Sequence, residues 1–289
     1  MIVVTTPTGS IGQQVLDLVA GSDQPIRVIA RDPARLAPHI RERVEVVQGS
    51  TSDREVVAAA VKGADTVFWL VPPNPSAPSV PGHLLEFVTP LCEALDSIGR
   101  IVAVSSLGRA NGRKAGQISA IFAMDALIES SGVHYRSLCP PGFMDNMLRQ
   151  VDPIRNLGTF FGTVSGDHRL PACATRDIAA VAARLLLDDS WTGQDSVEIR
   201  GPEDLSHNDM ARIMSEVLGR PIGYQQVSAA DYTASLTAHG MSAAWAQGLA
   251  DMSAAVDDGL YDTPRTPESY SPTGFRQWCE EVLAPAVAG

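Results

Sequence analysis

Apolar residues in this chain come in short β-branched bursts separated by longer amphipathic stretches. Met1-Ile2-Val3-Val4-Thr5 opens it as a run of the kind that forms a buried strand. Gln13 to Ala20 follows, with Val15, Leu16, Leu18 and Val19 placed to pack a helix on a sheet. Ile26–Ala30, Val44–Val47, Thr66–Val71, Ile101–Val104 and Tyr135–Leu138 repeat the strand pattern. Between them the spacing predicts helices over Pro33–His39, Asp53–Lys62, Gly82–Ile98 and Ile118–Ser130, with Asp53 as an N-cap and Gly63 as a stop. The proline-rich run Val71–Pro81 is expected to be a loop at a strand end, and Gly108–Gly116 a flexible segment. Steady strand–helix alternation predicts α/β architecture: a doubly wound parallel sheet with helices on both faces.

After Pro140 the alternation weakens. Phe160–Val164 and Ser196–Ile199 read as short strands. Helices are expected at Thr175–Leu187, Asn208–Leu218, Ala229–Ala238, Ser242–Val256 and Thr273–Leu283, with a loop over Tyr261–Pro272. The expected division is a sheet domain over residues 1–145 and a smaller, mostly helical lobe over 146–289. The lobe would cover one side of a cleft, and some of its strands can return to the sheet.

Composition narrows the class. Of 289 residues, 45% are hydrophobic and 19% charged, as in a soluble globular protein, and no run of 18 apolar residues occurs. No signal peptide is evident at the start of the sequence. The four cysteines, Cys92, Cys139, Cys173 and Cys279, are scattered without a C-x-x-C pair and read as reduced thiols of a cytoplasmic protein. Net charge is −11. Residues 1–145 carry 12 Lys/Arg against 14 Asp/Glu, residues 146–289 only 10 against 19. Neither half has a basic stripe, so direct nucleic-acid binding lacks its electrostatic driving force.

Thr6-Pro7-Thr8-Gly9-Ser10-Ile11-Gly12 joins the first strand to the first helix. A strand, a glycine turn and a helix N-terminus form an anion site, because free N–H groups and the helix dipole face the ligand. Gly9 would admit a pyrophosphate close to the backbone, and Gly12 would let the helix pack tightly on the strand. Thr6 stands where the first glycine of the three-glycine fingerprint belongs. Arg31, at the end of the second strand, is where a 2′-phosphate would be read, which points to NADP(H). Its other reading is a solvated arginine paired with Asp32.

In their order and spacing these motifs resemble the NmrA-like group of atypical short-chain dehydrogenases/reductases, over nearly the whole chain. The resemblance is carried by Val3-Val4-Thr5 before Thr8-Gly9-Ser10-Ile11-Gly12, by Arg31-Asp32-Pro33, and by Trp69-Leu70-Val71-Pro72-Pro73. Ser105-Ser106-Leu107-Gly108, Pro140-Pro141-Gly142-Phe143-Met144-Asp145-Asn146 and Arg176-Asp177-Ile178-Ala179 continue it. It implies a Rossmann-type fold that binds NADP(H) through Thr6, Thr8, Gly9, Ser10, Ile11, Gly12 and Arg31, with Pro72 and Ser105 on the nicotinamide side. One departure concerns catalysis. A typical reductase of that superfamily carries Tyr-x-x-x-Lys on the helix after the fifth strand; here Gln117-Ile118-Ser119-Ala120-Ile121 occupies that place, and no tyrosine precedes His134.

Candidate chemistry is therefore sparse. Lys114, one of two lysines, is either a proton donor over the nicotinamide or an exposed loop residue beside Arg113. Ser105 and Ser106 would either bond a substrate carbonyl or cap the chain. The six histidines show no metal-ligand spacing; His83 faces the cleft or the surface, and His168 reads as a solvated turn residue. No Gly-x-Ser-x-Gly elbow surrounds the serines, which argues against a serine hydrolase. Two functions compete. One is an NADPH-dependent reductase of a small apolar carbonyl, enone or quinone-type acceptor. The other is a non-catalytic NADP(H)-binding sensor acting on a protein partner. The expected state is a monomer or homodimer, with no membrane contact and no metal.

Overall fold

The computed structural model describes residues 1–289. Seven strands form one parallel sheet: β1 (Ile2–Val4), β2 (Ile26–Ala30), β3 (Glu45–Gln48), β4 (Ala64–Trp69), β5 (Ile98–Val104), β6 (His134–Cys139) and a late strand over Gln194–Glu198. In space β3, β2 and β1 run one way from the centre and β4, β5 and β6 the other, with the late strand at the edge beyond β6. Side chains alternate between faces with the period of two that strands impose. Ile2, Val4, Phe68 and Val102 enter one core; Val3, Val67, Trp69 and Ile101 enter the other.

Helices cover both faces. In chain order they are α1 (Ser10–Ala20), α2 (Pro38–Arg41), α3 (Arg54–Val61), α4 (Val80–Glu93) and α5 (Gln117–Glu129). Asp53 caps α3 as expected, accepting from the Glu55 and Val56 N–H groups at 2.9 and 3.2 Å. The helix expected over Gly82–Ile98 is shifted. Ser79 Oγ caps the Gly82 N–H at 3.1 Å, and Pro81 fits the first turn, where its missing N–H costs nothing. So Val80 and Pro81 belong to α4 and not to the loop. At the other end Ile98 belongs to β5, where it pairs with Ala64 of β4.

Beyond β6 the chain adds β7 (Gly142–Phe143), α6 (Val151–Leu157), β8 (Thr159–Gly162), β9 (Leu170–Cys173), α7 (Thr175–Leu187) and the sheet strand Gln194–Glu198, which becomes β10. Then come β11 (Asp204–Leu205), α8 (His207–Leu218), β12 (Gly223–Gln226), α9 (Ala229–Ala238), α10 (Ala243–Asp257) and a terminal helical run from Phe275 to Ala288. The short strands β7, β9, β11 and β12, along with α6, have no counterpart in the sequence pattern. None of these four strands contains Val, Ile or Thr, so no β-branched run marks them. They make a three-stranded sheet, β11-β9-β7, and a parallel pair, β12-β8. With α8 and the terminal run they enclose a separate core around Phe160, Met214, Phe275 and Trp278. Helix α7 instead packs on α1 and completes the sheet's first face.

Candidate active site

The sheet reverses direction between β1 and β4, and an α/β sheet binds ligands outside the carboxyl ends of its strands at such a point. A cleft of about 250 Å³ opens there. Thr6, Thr8 and Gly9 after β1, Arg31 and Arg35 after β2, Gly49 to Thr51 after β3 and Pro72 after β4 line it.

The turn after β1 is built around Thr6. Thr5 Oγ1 donates to the Phe68 carbonyl at 2.9 Å and accepts from Leu70 N–H at 3.0 Å, fastening β1 to the end of β4. The chain must then turn away sharply. Thr6 adopts φ +50°, the one non-glycine residue with positive φ. The missing glycine is thus replaced in sequence but kept in conformation, at a strain of about 1–2 kcal/mol. Gly9 N–H donates to the Thr6 carbonyl at 3.0 Å. A Cβ on Gly12 would lie 2.1 Å from that same oxygen, so only glycine lets α1 approach. No side chain caps α1, whose leading N–H groups remain available to a ligand. Thr6 Oγ1 is buried with no hydrogen-bond partner, although it lies on the cleft wall.

Of the residues expected to bind cofactor, Thr6, Thr8, Gly9, Arg31 and Pro72 line the cleft. Ser10 is exposed beside it, while Ile11 and Gly12 are buried behind the turn and act by packing. The Asp32 carboxylate caps the following turn, accepting from Ala34 N–H at 3.1 Å, and forms no ion pair with Arg31. Arg35, one turn later, gives a second guanidinium on the same wall. The sequence pattern does not single it out, because the pattern places it inside a helix, whereas Pro33–Arg35 is a single 3₁₀ turn. His83 is neither in the cleft nor on the surface. It is buried, and its Nε2–H donates to the Pro72 carbonyl at 2.8 Å, holding the proline loop in place.

Neither catalytic candidate, Ser105 nor Lys114, lines the cleft. Ser105 is buried, and its hydroxyl donates to Asp125 Oδ2 at 2.5 Å. Tyr135 donates to the other oxygen at 2.6 Å and Ser137 to the first at 3.3 Å. Burial pushes the Asp125 carboxyl up, partly offset by the bonds from Ser105 and Tyr135. The Ser105 proton is therefore committed to the network and is not offered to a substrate carbonyl. Lys114 is exposed in the loop before α5 and lines neither the cleft nor the cavity described next. Its neighbour Arg113 pairs with Asp258, at the end of α10.

A second cavity of about 250 Å³ lies beyond β6, between β7 and the C-terminal lobe. Its walls are mainly apolar, with Phe143, Met144, Met210, Met252 and Phe275 among them, and no Lys, Arg, Asp or Glu takes part. Asn146, His207, Ser253 and two tyrosines, Tyr232 and Tyr261, supply its polar edges. Burial holds the His207 imidazole below its ordinary value, favouring the neutral ring, and pushes both phenols up. The Tyr261 hydroxyl lies 3.4 Å from Ser106 Oγ at the end of β5. His168, expected to be a solvated turn residue, is wedged between Asp257 at 3.2 Å and Asp262 at 3.6 Å beside this lobe.

The glycine turn, the paired strand ends and the lobe beyond them match the NmrA-like family model over residues 1–269. The chain belongs to the NmrA-like family. Among relatives, a (4-alkanoyl-5-oxo-2,5-dihydrofuran-3-yl)methyl phosphate reductase of Streptomyces griseus is 29% identical over 228 residues, 78% of this chain and 77% of that one. An NAD(P)H azoreductase of Xenophilus azovorans is 25% identical over 273 residues, 91% of each chain. The NADPH-dependent quinone oxidoreductase of Escherichia coli, solved in complex with NADPH, superposes with a TM-score of 0.80 at 21% identity, covering 98% of this chain and 100% of that one. The likeness shows that this NmrA-like chain has their Rossmann-type fold. No helix in it is long and apolar enough to cross a membrane.

Proposed function

We propose that this NmrA-like protein is an NADPH-dependent oxidoreductase acting on an uncharged, apolar acceptor of the quinone, azo or enone type. The carrying observation is the pairing of two cavities at one end of the sheet. One is a phosphate cradle with an orphaned Thr6 hydroxyl and two guanidiniums, Arg31 and Arg35. The other is an apolar chamber without a charged wall residue. NADPH, when bound, supplies a hydride to the acceptor. The chain's own residues do the rest. The α1 N-terminus and Thr6 would hold the pyrophosphate, Arg31 and Arg35 the 2′-phosphate, and Pro72, fixed by His83, would border the nicotinamide.

The relatives' names support a reductase, and the apolar lining of the second cavity supports an uncharged acceptor. A phosphate-bearing substrate like that of the Streptomyces relative would meet no cation there. A quinone or azo acceptor asks least of a protein acid, because its reduced form is a comparatively weak base. The sensor reading rests on the same NADP(H) site and on the lack of a Tyr-x-x-x-Lys pair, but it leaves the second cavity unused.

The test is NADPH and NADH oxidation in parallel, against a quinone, an azo dye, an enone and an aldehyde. NADPH-dependent turnover with the first two and little with the aldehyde is expected. Tight NADPH binding with no turnover on any acceptor would favour the sensor.

A further inference from the structure

We infer that Tyr261 supplies, from near the far end of the chain, the phenolic hydrogen-bond donor that the helix after β5 lacks. This rests on the reductase reading above. The protein has five tyrosines. Tyr135 is committed to Asp125 at 2.6 Å, and Tyr224 to the Val164 carbonyl at 2.6 Å. Tyr270 is 60% exposed. Only Tyr232 and Tyr261 reach the apolar cavity, and of these only Tyr261 extends its hydroxyl to a strand end of the main sheet. Its partner there, Ser106 Oγ, is 3.4 Å away, too long for a strong O–H···O bond. Ser106 itself donates to the Leu107 carbonyl at 3.2 Å. The phenol is thus buried with its proton barely engaged, at the margin between the sheet's carboxyl end and the acceptor chamber.

Its position is fixed by the segment expected to be flexible. Gly108 has φ +96°, and a Cβ there would stand 2.6 Å from the Leu260 carbonyl. Asn111 Nδ2 donates to that carbonyl at 2.7 Å. Leu260 is fully buried with Leu107, Ala115 and Ile118. The Gly108–Gly116 segment therefore clamps Leu260, and the adjacent Tyr261 inherits that order.

The chemistry follows from where the hydroxyl sits, between Ser106 and the apolar cavity. Burial, eased slightly by Ser106, keeps Tyr261 protonated at neutral pH, which makes it a steady donor and a reluctant acid. When a quinone takes up a hydride at one carbonyl oxygen, an O–H bond forms there, the π electrons shift through the ring and the opposite oxygen becomes anionic. Tyr261 Oη–H holds that oxygen through a hydrogen bond without surrendering its proton. The two electrons come from the reduced nicotinamide, and the proton that completes the hydroxyl comes from water as product leaves.

Tyr261→Phe keeps the ring and removes the hydroxyl. In cofactor-free protein, tetramethyl-1,4-benzoquinone and 1,2,4,5-tetramethylbenzene are titrated as matched ligands with and without oxygens. The variant should lose about fivefold of the preference for the quinone, the worth of one neutral hydrogen bond, with the hydrocarbon affinity unchanged. With NADPH, kcat for the quinone should fall about 100-fold at constant KM for NADPH and an unchanged melting temperature. An unchanged kcat overturns the catalytic assignment and leaves the reductase reading standing. Wild-type protein that does not prefer the quinone overturns it as well. If no acceptor is reduced yet the preference depends on Tyr261, the reductase reading fails and the donor assignment survives.

Discussion

At the residue scale the site turns on charge and on one strained threonine. Arg31 and Arg35 share a wall of the cleft, and neither is paired with a carboxylate. Arg31→Ala should weaken NADPH binding by about 1.5–3 kcal/mol, the range for a charge-assisted contact, while NADH affinity barely changes. Calorimetric titration of both cofactors checks this, and equal wild-type affinities would remove the 2′-phosphate role. Arg35→Ala should act in the same direction, and the double variant should lose less than the sum if both hold one phosphate. Thr6 offers a sharper separation. Its hydroxyl is buried and unpartnered, so Thr6→Val should stabilise the cofactor-free protein by about 1 kcal/mol by removing that desolvated group. The same change should weaken NADPH binding several-fold. Urea unfolding and cofactor titration would report opposite signs, and parallel changes would show that Thr6 Oγ1 does not meet the ligand.

Among elements, close approach decides which substitutions are tolerated. Gly12→Val would drive a side chain into the Thr6 carbonyl, 2.1 Å from the first added carbon, and should abolish NADPH binding. A control needs an open glycine, which Gly99, inside β5 with a would-be Cβ 2.7 Å from the Asp65 carbonyl, is not. Gly223→Ala is one: nothing lies within 4 Å of its Cβ position, and cofactor affinity and melting temperature should stay near wild type. Gly108→Ala tests the clamp. It should displace Leu260 and depress turnover while NADPH titrates normally, because the cleft is formed by other strand ends. The principal strands were legible as β-branched runs, and the capped helices because their apolar spacing recurs over two or more turns. The shift of α4 was not, because a capped Pro81 and an in-register Ile98 differ from loop residues only through their partners.

For the whole molecule, burial of thiols sets an alkaline limit. Cys139 is pushed up to about 11, and Cys173 and Cys279 to about 12, in each case chiefly by burial. A thiol whose folded pKa lies above its unfolded value near 9 contributes stability below pH 9 and loses it as pH rises towards the folded value. Between those limits each contributes a slope of about 1.4 kcal/mol per pH unit. Urea unfolding should therefore show falling stability from pH 9 to 11, and Cys173→Ala should make that fall shallower by about one thiol's share. An identical slope in the variant would mean that Cys173 ionises as freely in the fold as in the unfolded chain. The two lobes are joined through α7 and β10, which belong by sequence to the second half and by packing to the first.

What the sequence determined by itself is local: β-branched runs buried on both faces, the glycine turn after β1, the capped α3 and the arginine after β2. Each depends on residues within a turn or two of one another, where side-chain period and backbone sterics act directly. Tertiary structure alone decided the chemistry. It gave the Ser105 proton to Asp125, carried Lys114 to the surface, buried His83 beneath Pro72 and brought Tyr261 across 155 positions to Ser106. Spacing cannot report such pairings, because a hydrogen bond or a cavity wall depends on distance in space, and that distance exists only once the sheet has ordered its strands.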